Sequence, residues 1–131
     1  MPVSHNNALR LAGNAFATIF IGFGVNALLR PEHALTFFEW KPPTALSDRQ
    51  LVESLVHLYG IRDIFMGLVM YAASFCGTRQ SFGWTVLAAS AVAYGDGLVC
   101  RAWGMGEWNH WGYAPMLTVV GAALVGAFDW A

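Results

Sequence analysis

The sequence carries ionisable residues where its surroundings are least hospitable to charge. The apolar stretch after Gln50 holds Glu53, His57, Arg62 and Asp63, together with Tyr59 and Tyr71; the next one holds Asp96 and Arg101, with Tyr94. A charged side chain at the centre of a membrane helix costs about 2.5–3.5 kcal/mol even on the lenient insertion scale, so such residues call for a reason. Asp63, Asp96, Glu53 and His57 are proton donors or acceptors, and in a low-dielectric setting a carboxyl can stay protonated near neutral pH. Arg62 could hold a developing oxyanion or a carboxylate. This set suits acid–base work on an apolar molecule: isomerisation, cyclisation, dehydration or epoxide opening.

Other chemistries find less support. No HxxxH or HExxH pattern occurs, and four scattered histidines do not make a zinc set, so no metal is expected. A haem between His57 and His110 is disfavoured because Trp111-Gly112 separates His110 from its helix. Gly104-Met105-Gly106 is followed by Glu107 rather than by a lysine and a helix start, which argues against a phosphate loop. Cys76 and Cys100 belong to no CxxC and read as small buried residues. No cofactor is called for.

These residues need elements to hold them, and composition says which. Of 131 residues, 56% are apolar and 11% charged, against roughly 45–50% and about 25% in a soluble domain. The length allows one domain, residues 1–131. Seven Lys and Arg scattered over a chain of net charge −1 exclude the basic footprint of a nucleic-acid binder. Apolar segments at 8–29, 51–75, 82–101 and 112–130 each approach the roughly 20 residues needed to cross the bilayer as a helix. Lipid leaves no partner for open backbone groups, so the expected fold is all-α, a bundle of four transmembrane helices running up-down-up-down. The first segment, preceded by Ser4-His5-Asn6-Asn7, reads as a signal anchor.

Among the connections, the long first one, Arg30 to Gln50, contains an Ala34–Trp40 stretch expected to lie among headgroups. Trp103, Trp108 and Trp111 in the third suit the membrane–water interface. Arg30, Lys41, Arg49 and Arg101 on that side against Arg10 and Arg79 on the other turn the long loop towards the cytosol. Small residues recur within the segments, Gly13, Gly22, Gly24, Gly60, Gly67, Gly121 and Gly126 among them, and would let helices approach closely.

Helical geometry sorts the polar residues. At about 100° per residue, Glu53, His57, Gly60, Ile64, Gly67 and Tyr71 share a stripe; Asp63 flanks it by about 80° and Arg62 points nearly opposite. Arg62 and Asp63 are splayed, so each is expected to find its partner on another helix, Arg62 with Asp96. Depth brings Glu53, His57, Asp96, His110 and Asn26 towards one polar cavity open to the long-loop side, with Arg62 and Asp63 as its floor. Simpler roles stand beside this one. Glu53 could meet headgroups, His57 could merely bond Glu53, and His110 could be solvated. Arg10 and Asp129 lie near helix ends, where snorkelling suffices. Arg62, Asp63 and Asp96 could be a structural ion-pair network, a site, or both.

The stretch Tyr59-Gly60-Ile61-Arg62-Asp63-Ile64-Phe65-Met66-Gly67-Leu68, with the later Asp96 and the earlier Arg30-Pro31, resembles the small four-helix membrane proteins grouped as domain of unknown function 4267, found in fungi and bacteria. The likeness covers nearly the whole chain. Its most specific part is Gly-x-Arg-Asp with a glycine four residues on, plus the later aspartate. It implies the fold and the group Arg62, Asp63 and Asp96 as catalytic residues. Because some relatives lie beside fungal biosynthetic genes, it also implies a small enzyme acting on a lipophilic metabolite. The expectation is therefore a cofactor-free cyclase or isomerase, with Glu53, His57, Asn26, Tyr94 and His110 as substrate-binding residues on geometry alone. The alternative is a non-catalytic membrane protein that binds a lipid or small ligand or assists a partner. Expected partners are a hydrophobic small molecule, the bilayer and further copies of the chain in a homo-oligomer; a proton-coupled carrier working as an oligomer is a third, weaker reading. In a eukaryotic cell the expected site is the endoplasmic reticulum or another internal membrane.

Overall fold

A computed structural model describes residues 1–130, and among them every regular element is helical. After a 3-10 turn at Val3–His5 come α1 (Asn7–Leu29), α2 (Pro31–Leu35), a 3-10 turn at Thr36–Phe38, α3 (Leu46–Cys76), α4 (Arg79–Trp103), α5 (Trp108–Trp111) and α6 (Ala114–Val125). Helices α1, α3 and α4 are long and apolar enough to cross a membrane. These three helices mark a membrane protein. The fourth apolar segment forms only the 12 residues of α6, about 18 Å of helix against some 30 Å of hydrocarbon.

Local chemistry sets the boundaries. Asn6 caps α1 by accepting from the Ala8 amide at 2.9 Å. The helix stops at Leu29 because Arg30 precedes a proline and adopts φ −141°, outside the helical region; Pro31 then opens α2 at a position where its missing N–H is no loss. Helix α3 starts at Leu46 rather than Leu51, since its first turn, Ser47-Asp48-Arg49-Gln50, is helical but polar and escapes a hydropathy reading. Thr78 and Ser81 form a reciprocal capping box that starts α4. Gly104 (φ 101°) and Gly126 (φ 98°) end α4 and α6 in the left-handed conformation that glycine adopts without penalty. Gly126 thus cuts the expected fourth span short.

The bundle is built from two close pairs, α1 with α3 and α4 with α6; α3 meets α4 far less extensively. Glycines make both approaches possible. A Cβ on Gly60 would stand 2.8 Å from the Gly24 carbonyl oxygen, and one on Gly83 would stand 2.9 Å from that of Gly121. Lipid supplies no hydrophobic drive between helices, so dispersion at such contacts holds them. Phe20, Met70, Phe82, Val86 and Leu117 fill the centre. Gly22, by contrast, faces open space.

The Ala34–Trp40 stretch folds over one end of the bundle as a cover, with Ala34 and Leu35 buried against Ala27 and Val56 and the buried Phe38 stacked on Trp40. Arg49 pairs with Glu32 and, at 3.4 Å, with Glu53, tying the cover to α3. The third loop holds it from the other side: Asn109 Nδ2 donates to the Phe37 carbonyl at 2.9 Å. Gly106 (φ 91°) passes so close to the Phe38 carbonyl that no side chain would fit there.

Candidate functional site

Beneath the cover, the side chains of α3 facing inward are Val56, Gly60, Asp63, Gly67, Met70 and Ser74. This stripe lies to one side of the predicted one, because the two glycines where α1 approaches set the buried face. Asp63 is consequently 1% exposed, while Glu53 and His57 remain half-buried at the edge.

Arg62 spans from this face to α4. Its Nη1 donates to Asp96 Oδ1 at 3.0 Å and its Nη2 to Asp96 Oδ2 at 2.7 Å, a two-pronged pair across the seam. The same Nη2 donates to Asp63 Oδ1 at 3.2 Å. The expected Arg62–Asp96 pairing is present, but Asp63 does not take a partner on another helix. The long arginine side chain turns its head back over its own neighbour and closes the splay between their Cβ atoms. Tyr59, one turn earlier, lies 4.3 Å from the guanidinium carbon, an arrangement that adds cation–π attraction. Asp63 Oδ2 and Arg62 Nε are buried without a hydrogen-bond partner among the described residues. One cation thus faces two carboxylates, and a single proton brings the group to neutrality.

Two cavities flank Tyr59 and Phe38. The larger, about 290 Å³, lies between α3, α4 and the cover; Trp40, Leu35, Val52, Val56, Val99 and Cys100 contribute to its wall, in which Asp96 is the acidic member. The other, about 230 Å³, lies between α1 and the cover, with Asn26, Phe23, His33 and Phe37 in its wall. The single polar cavity expected from helix depth is therefore two mainly apolar ones, because the aromatic cover fills the middle.

Each predicted residue has a definite place. Asp96 and Asn26 line different cavities, and the Asn26 side-chain oxygen is buried without a partner. His110 is fully buried, edge-on to Phe37 at 5.2 Å and tilted against Phe38 at 5.2 Å, with neither ring nitrogen bonded among the described residues. Burial holds its pKa below the ordinary value; Asp96 raises it and Arg62 lowers it further. Glu53 is engaged with Arg49 on the outer surface and lines neither cavity, nor does His57. Tyr94 turns outward, and only its carbonyl takes part locally, accepting from Trp111 Nε1 at 3.2 Å.

A family model described as Domain of unknown function (DUF4267) matches residues 17–124. The chain belongs to that family. The part matched to DUF4267 runs from Ala17 in α1 to Leu124 in α6, so it includes the cover, both cavities and the whole Arg62–Asp63–Asp96 group. No curated protein and no solved structure gives a significant match.

The sequence reading gives Tyr59, Phe38 and Trp40 no role in the site. Tyr59 was legible through its i,i+3 spacing from Arg62, which places a ring beside a guanidinium on a helix. The two cover aromatics offered no such signal, since an interfacial strip and an inward-folded lid have the same composition.

Proposed function

We propose that this protein is a membrane-embedded enzyme that rearranges an apolar small molecule, by cyclisation or isomerisation, through acid–base chemistry without a cofactor. One observation carries the reading: a carboxylate, Asp96, stands in the wall of an apolar cavity of about 290 Å³ while joined through Arg62 to a second, buried carboxylate. An apolar pocket with a few placed polar groups is the usual form of a small-molecule site. Asp96 would exchange a proton with the ligand, and Arg62 would keep its carboxylate oriented and balance charge as it develops. Asp63, behind them, would complete the charge balance, with the Tyr59 ring closing the cavity wall. Asn26 and His110 would shape the neighbouring space, with Glu53 and His57 at the outer rim. On this reading α6 makes the fourth crossing of an up-down-up-down bundle, with α5 at the interface before it. Its setting in a eukaryotic cell would be the endoplasmic reticulum or another internal membrane.

Membranes carrying the protein, incubated with the lipophilic extract of its host cell, should convert one component to an isomer of unchanged mass and new retention time. Asp96→Asn and Asp63→Asn keep the shape but not the proton exchange; activity should fall by roughly 10²–10⁴, while Glu53→Gln and His57→Gln should cost far less. Full activity in both Asn variants, with the protein still folded, would refute the catalytic reading. A specific feature favours the alternative, a non-catalytic binder: both Asp96 oxygens already accept from Arg62. In that case the same component would be retained and recovered unchanged.

A further inference from the structure

At the opposite end of the bundle, away from the cover, lies a cavity of about 240 Å³ with two arginines from different helices in its wall, Arg10 in the first turn of α1 and Arg79 at the start of α4. Ser74 and Thr78 add hydroxyl groups, and Phe82 and Leu124 give it an apolar floor. Both guanidiniums are held by neutral partners. Arg10 Nε donates to Ser74 Oγ at 3.1 Å, and its head lies over the Phe75 ring, 5.3 Å from the centroid. Arg79 donates to the Ser4 carbonyl at 3.0 Å and to Asn7 Oδ1 at 3.2 Å. Among the described residues neither arginine has a carboxylate within salt-bridge distance, unlike Arg49 and Arg62 at the covered end. Asp129, which is near, gives its two oxygens to the amide and hydroxyl of Ser4 at 2.8 and 2.6 Å.

The geometry points to a phosphate-binding site at this cavity, for a phosphate group carried on a phospholipid headgroup or free in solution. Guanidinium forks match phosphate oxygens in shape and charge, and here two of them, already oriented, border one space. The first turn of α4 adds the positive end of a 25-residue helix. The position is that of a headgroup: Arg10, Ser74 and Arg79 lie at the ends of membrane-spanning helices, and the apolar floor continues from them into the bundle. This site lies far from Asp96 and is independent of any reaction there.

The test uses the full chain in a neutral maltoside detergent. Phosphatidylglycerol, diacylglycerol of the same acyl composition, and inorganic phosphate are titrated separately while the melting temperature is read. Phosphatidylglycerol should stabilise the protein and diacylglycerol should not. A shift with inorganic phosphate as well identifies the phosphate group as sufficient, and a shift with the lipid alone identifies the headgroup with its chains. Arg10→Gln and Arg79→Gln should each weaken the apparent affinity about tenfold or more, whereas Arg101→Gln at the other end should leave it unchanged. Equal loss with Arg101→Gln, or no shift with either phosphate source, overturns the site. Native mass spectrometry of the unaltered chain reads the same point without mutation. Retention of phosphatidylglycerol in preference to diacylglycerol is expected, and equal retention overturns it.

Discussion

The Arg62 guanidinium grips both oxygens of Asp96 across the seam between α3 and α4, at 3.0 and 2.7 Å. It is an ionic link in a seam where Phe65, Met66, Val69, Ala88 and Val92 are apolar neighbours. Removing one partner of such a pair leaves the other charge stranded, at a cost of about 3–5 kcal/mol. Arg62→Ala and Asp96→Ala should each lower the melting temperature in detergent, and the double variant should lose less than the sum of the two. Strict additivity would show that the pair contributes nothing as a pair.

The glycine contacts make a second, independent prediction. Gly60→Val would force a side chain into the Gly24 carbonyl and push α1 from α3, at about 1–3 kcal/mol or more. Gly22→Ala meets nothing within 4 Å and should be neutral or slightly stabilising. Thermal melts of the two variants side by side decide it: equal losses would mean that close approach is not what holds the helix pair together.

His110 sets a pH dependence. Burial holds its pKa below the ordinary value, so the folded state favours the neutral ring. Its contribution is therefore complete above the unfolded value of about 6.5 and is lost as pH falls from there through the folded value. The wild-type melting temperature should drop as pH falls below about 6.5, and His110→Phe should flatten that part of the curve. An unchanged slope in the variant would move the dependence to other groups.

Much of this architecture is legible in the sequence, and the failures have physical reasons. Hydropathy finds α1, α3 and α4 because lipid-facing positions must be apolar whatever the packing. It misses the polar first turn of α3, where Asp48 suits a helix N-terminus but not lipid, and it overextends α6 through Gly126, whose positive φ no hydropathy value encodes. The Arg62–Asp96 pair can be read because a mid-membrane charge must have a partner. Asp63 was misjudged by treating side chains as rays from the helix axis, when an arginine is long enough to bend back. Depth alone places Tyr94 at the level of the site; its outward direction round α4 is fixed by tertiary packing.

Topology can be checked with single cysteines in a background lacking Cys76 and Cys100. With α1, α3 and α4 each crossing once, His5→Cys and Gln80→Cys should label from one face of the membrane, and Ser47→Cys and Met105→Cys from the other. Accessibility of positions 5 and 47 from the same face contradicts three crossings.

The matched glycines of α1 with α3, and of α4 with α6, give the molecule an uneven stiffness. Along each pair, backbone lies against backbone, and the contact can neither slide nor widen without losing many small attractions at once. Between the pairs the contacts are sparser, and the Arg62–Asp96 clasp there spans side chains long enough to flex. The parting of the two pairs about the Arg62–Asp96 clasp is therefore the motion expected to cost least. The larger cavity under Trp40 opens along that same line. An oily molecule dissolved in the surrounding lipid would meet the protein where it yields most easily, with no need to pass through water.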